Sequence, residues 1–89
     1  MNTELIDAAE LGEEARRFVE SPLGKAMIDL AAQEVWLAQD ALLRVNPTDA
    51  EEIRKLQNKA WLGNTFKQWI EEIIDKGDSA LEVFKHEQA

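Results

Sequence analysis

Asn46-Pro47-Thr48-Asp49 is the stretch of sequence that decides the fold, because it separates two long amphipathic segments. Asn46 can cap a helix, proline is favoured at the first helical position, and Asp49 suits the positive end of the helix dipole. The pattern Thr48-x-x-Glu51 offers a second helix start close by. Because the connection is short, the segments on its two sides should run antiparallel as a helical hairpin.

The two arms of this hairpin follow from the residues on either side of the turn. Upstream, Ser21-Pro22 repeats the cap-and-proline signal and predicts a helix over 22–45. Downstream, a helix over 47–76 is predicted to end at Gly77, since glycine is favoured just past a helix C-terminus. A mirror point between Asn46 and Pro47 would place Leu30 opposite Gly63 and Gly24 opposite Trp69.

Two further helical segments complete the predicted architecture. A weakly amphipathic helix is predicted over 3–19, with Gly12 lowering its stability, and a short helical tail is predicted over about 79–86. The predicted fold is therefore all-α and a single domain. It is a long antiparallel helical hairpin with an N-terminal helix packed across it and a short C-terminal helical extension.

The amino-acid composition limits the kinds of partner that the chain is expected to bind. The chain has 18 acidic and 10 basic residues, for a formal net charge of −8, so phosphate backbones should be repelled and direct nucleic-acid binding is not expected. The N-terminus lacks the pattern of a signal peptide, and no apolar run is long enough for a membrane span. With no cysteine, the sequence predicts a cytoplasmic protein that does not enter a membrane.

Signatures of catalysis and metal binding are missing from the sequence. There is no Glu-x-x-His pair, no glycine-rich phosphate loop and no serine nucleophile elbow. The single histidine, His86, lies near the C-terminus and is expected to be solvated. We therefore expect neither an enzyme nor a bound cofactor or metal.

The long helices carry more apolar positions than one hairpin seam can cover. In the helix over 47–76 a second apolar stripe lies away from the seam, and either the N-terminal helix, the tail or a second chain must cover it. In the helix over 22–45 the main apolar face, which includes Met27, Leu30 and Leu37, is predicted to form the hairpin seam. Trp36 and Leu43 lie away from this face, and an aromatic residue in such a position is typical of a protein interface. Trp36 could equally be covered by the N-terminal helix. The candidate interface residues are Trp36, Leu43, Phe66, Trp69 and Ile73, whereas the role of Trp61 stays open.

Charged residues suggest one internal pair and one external surface. Glu34 falls on the predicted main face, where Lys59 across the hairpin would neutralise it. Glu10, Glu13 and Glu14 belong to the acidic N-terminal segment and form a candidate acidic surface.

Parts of the sequence resemble a known group of proteins. The runs Phe18–Lys25, Asn46–Asp49 and Ile53–Asn58 are similar to small acidic helical proteins of tailed bacteriophages, most without an assigned function, and the resemblance covers about residues 18–76. It implies a phage-encoded accessory or structural component in a bacterial cytoplasm and supplies no functional residues.

Two functions from different classes agree with these observations. The first is a non-enzymatic helical assembly protein that forms a homo-oligomer, a dimer or larger, and that could also bind another phage or host protein. The alternative is an acidic inhibitor or decoy that binds a basic surface of a host protein.

Overall fold

The computed structural model describes residues 3–88, which form three α-helices. Helix α1 spans Thr3–Glu20, α2 spans Pro22–Leu42 and α3 spans Ala50–Gln88. No β-strand occurs among these residues, and α1 and α2 both pack on α3. The all-α prediction is confirmed.

Contacts divide the chain into two compact units, which are described separately. The terminal unit contains the chain up to Lys25 together with the part from Trp69 onward, so that α1 packs on the second half of α3. The hairpin unit is Ala26–Gln68, in which α2 packs on the first half of α3.

The start of α2 confirms the prediction made from Ser21-Pro22. The backbone N–H of Gly24 donates to Ser21 Oγ at 3.0 Å, and the Ser21 hydroxyl donates to the carbonyl of Phe18 at 2.6 Å. One serine side chain therefore caps α2 and also satisfies a carbonyl in the last turn of α1. A methyl group added at Gly24 would meet atoms of Phe18 and Ser21 first, rather than Trp69 as predicted.

The turn before α3 differs from the prediction by a few residues. α2 ends at Leu42 instead of Val45, and α3 begins at Ala50 instead of Pro47. Asn46 closes the turn by accepting the N–H of Thr48 at 3.0 Å, whereas the cap is Asp49, which accepts the N–H of Glu52 at 3.1 Å. An Asx turn and a helix cap use the same side chains, and Asn46 forms the turn here.

The prediction that the long helix ends at Gly77 is wrong. α3 continues through Gly77 to Gln88, and the predicted tail over 79–86 is part of it. The reason is packing: Gly77 is buried against α1. A glycine inside a helix costs stability but allows another backbone to approach closely.

Helices α1 and α3 cross at two glycines in the terminal unit. A Cβ atom placed on Gly12 would lie 2.8 Å from the Cα of Gly77, and one placed on Gly77 would lie 2.7 Å from the Cα of Gly12. Ala8 is also at the crossing, since its carbonyl oxygen would lie 3.0 Å from a Cβ on Gly77. Gly12 thus makes a close contact with α3 and is not only a weak point in α1.

In the hairpin unit, small residues form the contact between the helices. A Cβ on Gly63 would overlap the Val35 side chain and would lie 2.9 Å from the carbonyl oxygen of Ala31. Gly63 therefore faces Ala31 and Val35 rather than Leu30, which is exposed. Ala38 on α2 and Leu56 on α3 are buried apolar residues of this unit.

The face of α2 that packs on α3 is therefore not the main apolar face that was predicted. Leu30 and Leu37 are exposed, and Glu34 is exposed as well. Neither ion pair found among residues 3–88 joins Glu34 to Lys59. The expected internal pair is therefore absent from the described chain.

Candidate interaction surfaces

The described residues bury very little apolar side chain. The buried apolar residues are Ala38, Leu56 and Ala80, and no large side chain is fully buried.

Much of the exposed surface is apolar. In the described part of the chain the exposed large apolar residues are Leu11, Leu23, Met27, Leu30, Trp36, Leu37, Leu43, Trp61, Leu62, Trp69, Ile73, Leu81 and Val83. Single exposed apolar residues are ordinary on a protein surface, but groups of them mark interaction sites.

One such group lies in the hairpin unit and contains three of the predicted interface residues. Trp36 is 62% exposed and stands at a groove of about 270 Å³ between α2 and α3, with half-buried Phe66 among the lining residues. The groove is open because small residues line it: Ala31, Ala32 and Gly63. Ile28, Val35, Gln39, Asn64 and Lys67 complete the lining.

Leu43 extends this group toward the end of α2. It is 86% exposed and lines a shallow hollow of about 310 Å³ together with Trp36, Gln39 and Asp40. Asp40 is held at the edge by an ion pair with Arg44 at 2.5 Å. We call the surface formed by Trp36, Leu43 and Phe66 the Trp36 surface.

The other two predicted interface residues belong to the terminal unit. Trp69 is 57% exposed and Ile73 is 40% exposed. All five candidates are exposed or half-buried, as an interface residue must be in the isolated chain. Whether any of them contacts another chain stays a prediction.

Sequence reasoning missed a second exposed stripe on α2. Met27, Leu30 and Leu37 were assigned to the hairpin seam, but all three are exposed. The signal was present, because positions 27, 30 and 37 are spaced by three and seven residues, and so are the half-buried positions 28 and 31 and the buried position 38. Periodicity alone did not say which of the two stripes faces α3.

A separate groove in the terminal unit combines apolar and acidic residues. It measures about 460 Å³ and runs between α1 and the end of α3. Leu5, Ile6, Ala9, Leu81 and Phe84 supply its apolar lining, and Glu10 and Glu13 are its two charged residues. Glu14, the third residue of the predicted acidic surface, is exposed but does not line it. We call this site the acidic groove.

The first arginine that follows Glu13 on α1 is already paired. Arg16 donates to both carboxylate oxygens of Asp78, at 2.7 and 2.5 Å. This hydrogen bond and the charge of Asp78 raise the pKa of Arg16; Glu13 and Glu20 contribute less, and desolvation opposes them. Within residues 3–88, no lysine or arginine lies within ion-pair distance of Glu10 or Glu13.

No helix within residues 3–88 is both long and apolar enough to span a bilayer, and no cluster of acidic or histidine side chains there could hold a metal ion. Comparison of the chain with protein-family models, curated proteins and solved structures gives no significant match.

Proposed function

We propose that this protein is a non-enzymatic assembly protein that associates with copies of itself through the Trp36 surface. One observation carries the proposal: the described chain buries almost no large apolar side chain while exposing many. A chain of this size has little folding free energy to spare. Covering apolar surface with a second copy would supply the missing burial at about 25 cal/mol per Å².

The Trp36 surface is the preferred face because it combines an aromatic anchor with a groove. Tryptophan is over-represented among the residues that dominate binding energy, and such residues lie in pockets from which water is excluded. Trp36 borders both the groove that contains Phe66 and the hollow that contains Leu43. The Trp36 of one copy could therefore enter the groove of the other in a two-fold contact. The resemblance to phage proteins would make the assembly an accessory or structural component in a bacterial cytoplasm.

The test is the molar mass in solution, measured by light scattering after size exclusion over a wide concentration series. We expect a dimer or a larger species for the natural chain and a monomer for Trp36→Glu. Because Trp36 is largely exposed in the single chain, the variant should keep its helix content by far-UV circular dichroism. A natural chain that is monomeric at every concentration would overturn the proposal.

Two matched variants separate this face from others. Trp61→Glu changes a tryptophan that is 60% exposed in the same unit but lies outside the groove, and it should stay oligomeric. A double variant at Leu30 and Leu37 tests the second stripe of α2. If only that double variant is monomeric, the protein associates through the other face and the assignment to Trp36 is wrong.

One specific observation supports a second function, that of an acidic inhibitor or decoy that binds a basic host protein. Glu10 and Glu13 lie unpaired beside apolar residues in the acidic groove, as a surface for a basic partner would require. Neutralising Glu10, Glu13 and Glu14 together should weaken binding to a basic protein and flatten its dependence on salt. If binding is unchanged in this triple variant, the inhibitor or decoy function would be contradicted.

A further inference from the structure

The acidic groove has the features of a site for one helix of another protein. Its lining comes from two helices and is mostly apolar, from Leu5, Ile6 and Ala9 on α1 and from Leu81 and Phe84 on α3. At about 460 Å³ it falls within the range of roughly 300–1,000 Å³ that is typical of ligand sites. A groove between helices is filled best by apolar side chains at positions i, i+3, i+4 and i+7 of an amphipathic helix.

The charged residues of the groove favour a helix of positive charge. Glu10 and Glu13 are three residues apart, so their carboxylates lie on one face of α1. Arg16 is held by Asp78, and Lys85 and His86, which follow Phe84, are not among the lining residues. The groove therefore presents two carboxylates that form no ion pair within the described chain, although Glu13 lies close enough to Arg16 to raise its pKa.

A second copy of this chain fits the groove poorly. The copy would bring its own acidic α1 and a net charge of −8, and like charges facing each other across an interface are unfavourable. A basic helix instead gains attraction to both carboxylates while its apolar side chains cover the lining.

We propose that the acidic groove binds an amphipathic helix of a partner protein, with lysine or arginine residues that pair with Glu10 and Glu13. This specifies the ligand of the second function above, and it uses a surface separate from the Trp36 surface. It holds whether or not the copies associate with each other.

The test uses a synthetic fluorescent peptide that has leucines at i, i+3, i+4 and i+7 and arginines along both flanks of the apolar stripe. Fluorescence anisotropy measures its binding to the full chain. Two control peptides accompany it, one with the same composition in scrambled order and one with glutamates in place of the arginines. We expect saturable binding of the first peptide alone.

Charge-neutral variants locate the contact. The double variant Glu10→Gln, Glu13→Gln should weaken binding about fivefold, in keeping with the modest strength of exposed ion pairs. Glu14→Gln, on the same helix but outside the groove, should change binding less than about twofold. If Glu14→Gln weakens binding equally, the function as a general acidic decoy would still stand, but the proposal that binding occurs in the acidic groove would be overturned.

A third variant tests the apolar lining. Leu81 is 41% exposed, so Leu81→Lys should fold normally, and the new cation should abolish binding of the basic peptide. If circular dichroism shows that this variant loses helix, charge reversal by Glu10→Lys and Glu13→Lys replaces it, since both positions are exposed. Equal binding of the scrambled peptide, no binding to the natural chain, or binding unaffected by these changes would each overturn the proposal.

Discussion

At the crossing of α1 and α3, Gly12 and Gly77 bring two helix backbones into contact. Each glycine costs its own helix about 1 kcal/mol relative to alanine. The contact explains why both are tolerated inside long helices, because a side chain at either position would collide with the backbone of the other helix. Helix propensity and packing therefore act in opposite directions at these two residues.

Gly77→Ala measures which effect is larger. We expect the variant to lose about 1–3 kcal/mol in the free energy of unfolding, because the helices must separate to admit the methyl group. Urea denaturation followed by circular dichroism gives the value. Ser79→Ala, an exposed position in the same helix, should change stability by less than about 0.5 kcal/mol. A more stable Gly77→Ala variant would mean that α1 and α3 do not approach this closely.

Among the helices, the sequence allowed the starts to be predicted better than the ends. Ser21-Pro22 predicted the first residue of α2 correctly, because a cap is a local arrangement of a few neighbouring residues. The end at Gly77 was predicted wrongly, since glycine favours a helix end locally but here meets a distant helix. The start of α3 was misplaced because Asn46 and Asp49 are both good caps, and the turn uses the first of them.

The candidate surfaces could be predicted only in part, for a related reason. Trp36 and Leu43 were expected away from the seam, and they are exposed. The acidic groove was not predicted, because it joins residues of α1 to Leu81 and Phe84 in a segment that was taken for a separate tail. Such a site depends on contacts between distant parts of the chain, which helical periodicity does not encode.

The continuity of α3 gives a prediction for its last third. A chain that stops after Lys76 loses the contact between Gly12 and Gly77 and the ion pair between Arg16 and Asp78. We expect α1 to lose protection in hydrogen exchange measured by mass spectrometry, while Ala26–Leu42 of α2 keeps its own. Unchanged protection of α1 would therefore contradict the present fold.

For the whole molecule, the net charge of −8 acts differently on the two proposed interactions. Copies of an acidic chain repel each other, so self-association must overcome a long-range opposing term. A basic helix is attracted by the same field. Salt screens both effects, with a Debye length of about 10 Å at 0.1 M ionic strength.

The two interactions should therefore respond to salt in opposite directions. Raising sodium chloride from about 50 mM to about 500 mM should tighten self-association and weaken binding of the basic peptide. Light scattering and anisotropy on the same preparation give both dissociation constants. Self-association that weakens with salt would show that ion pairs, rather than the apolar Trp36 surface, join the copies.

The contact between Gly12 and Gly77 also restricts how this protein can vary. In most cores a residue that becomes larger can be compensated by a neighbour that becomes smaller, but no residue is smaller than glycine. An enlargement at either position therefore has no compensating substitution at the other. In a library randomised at both positions and selected for stability, we expect glycine to be recovered at both, with no rescued pairs.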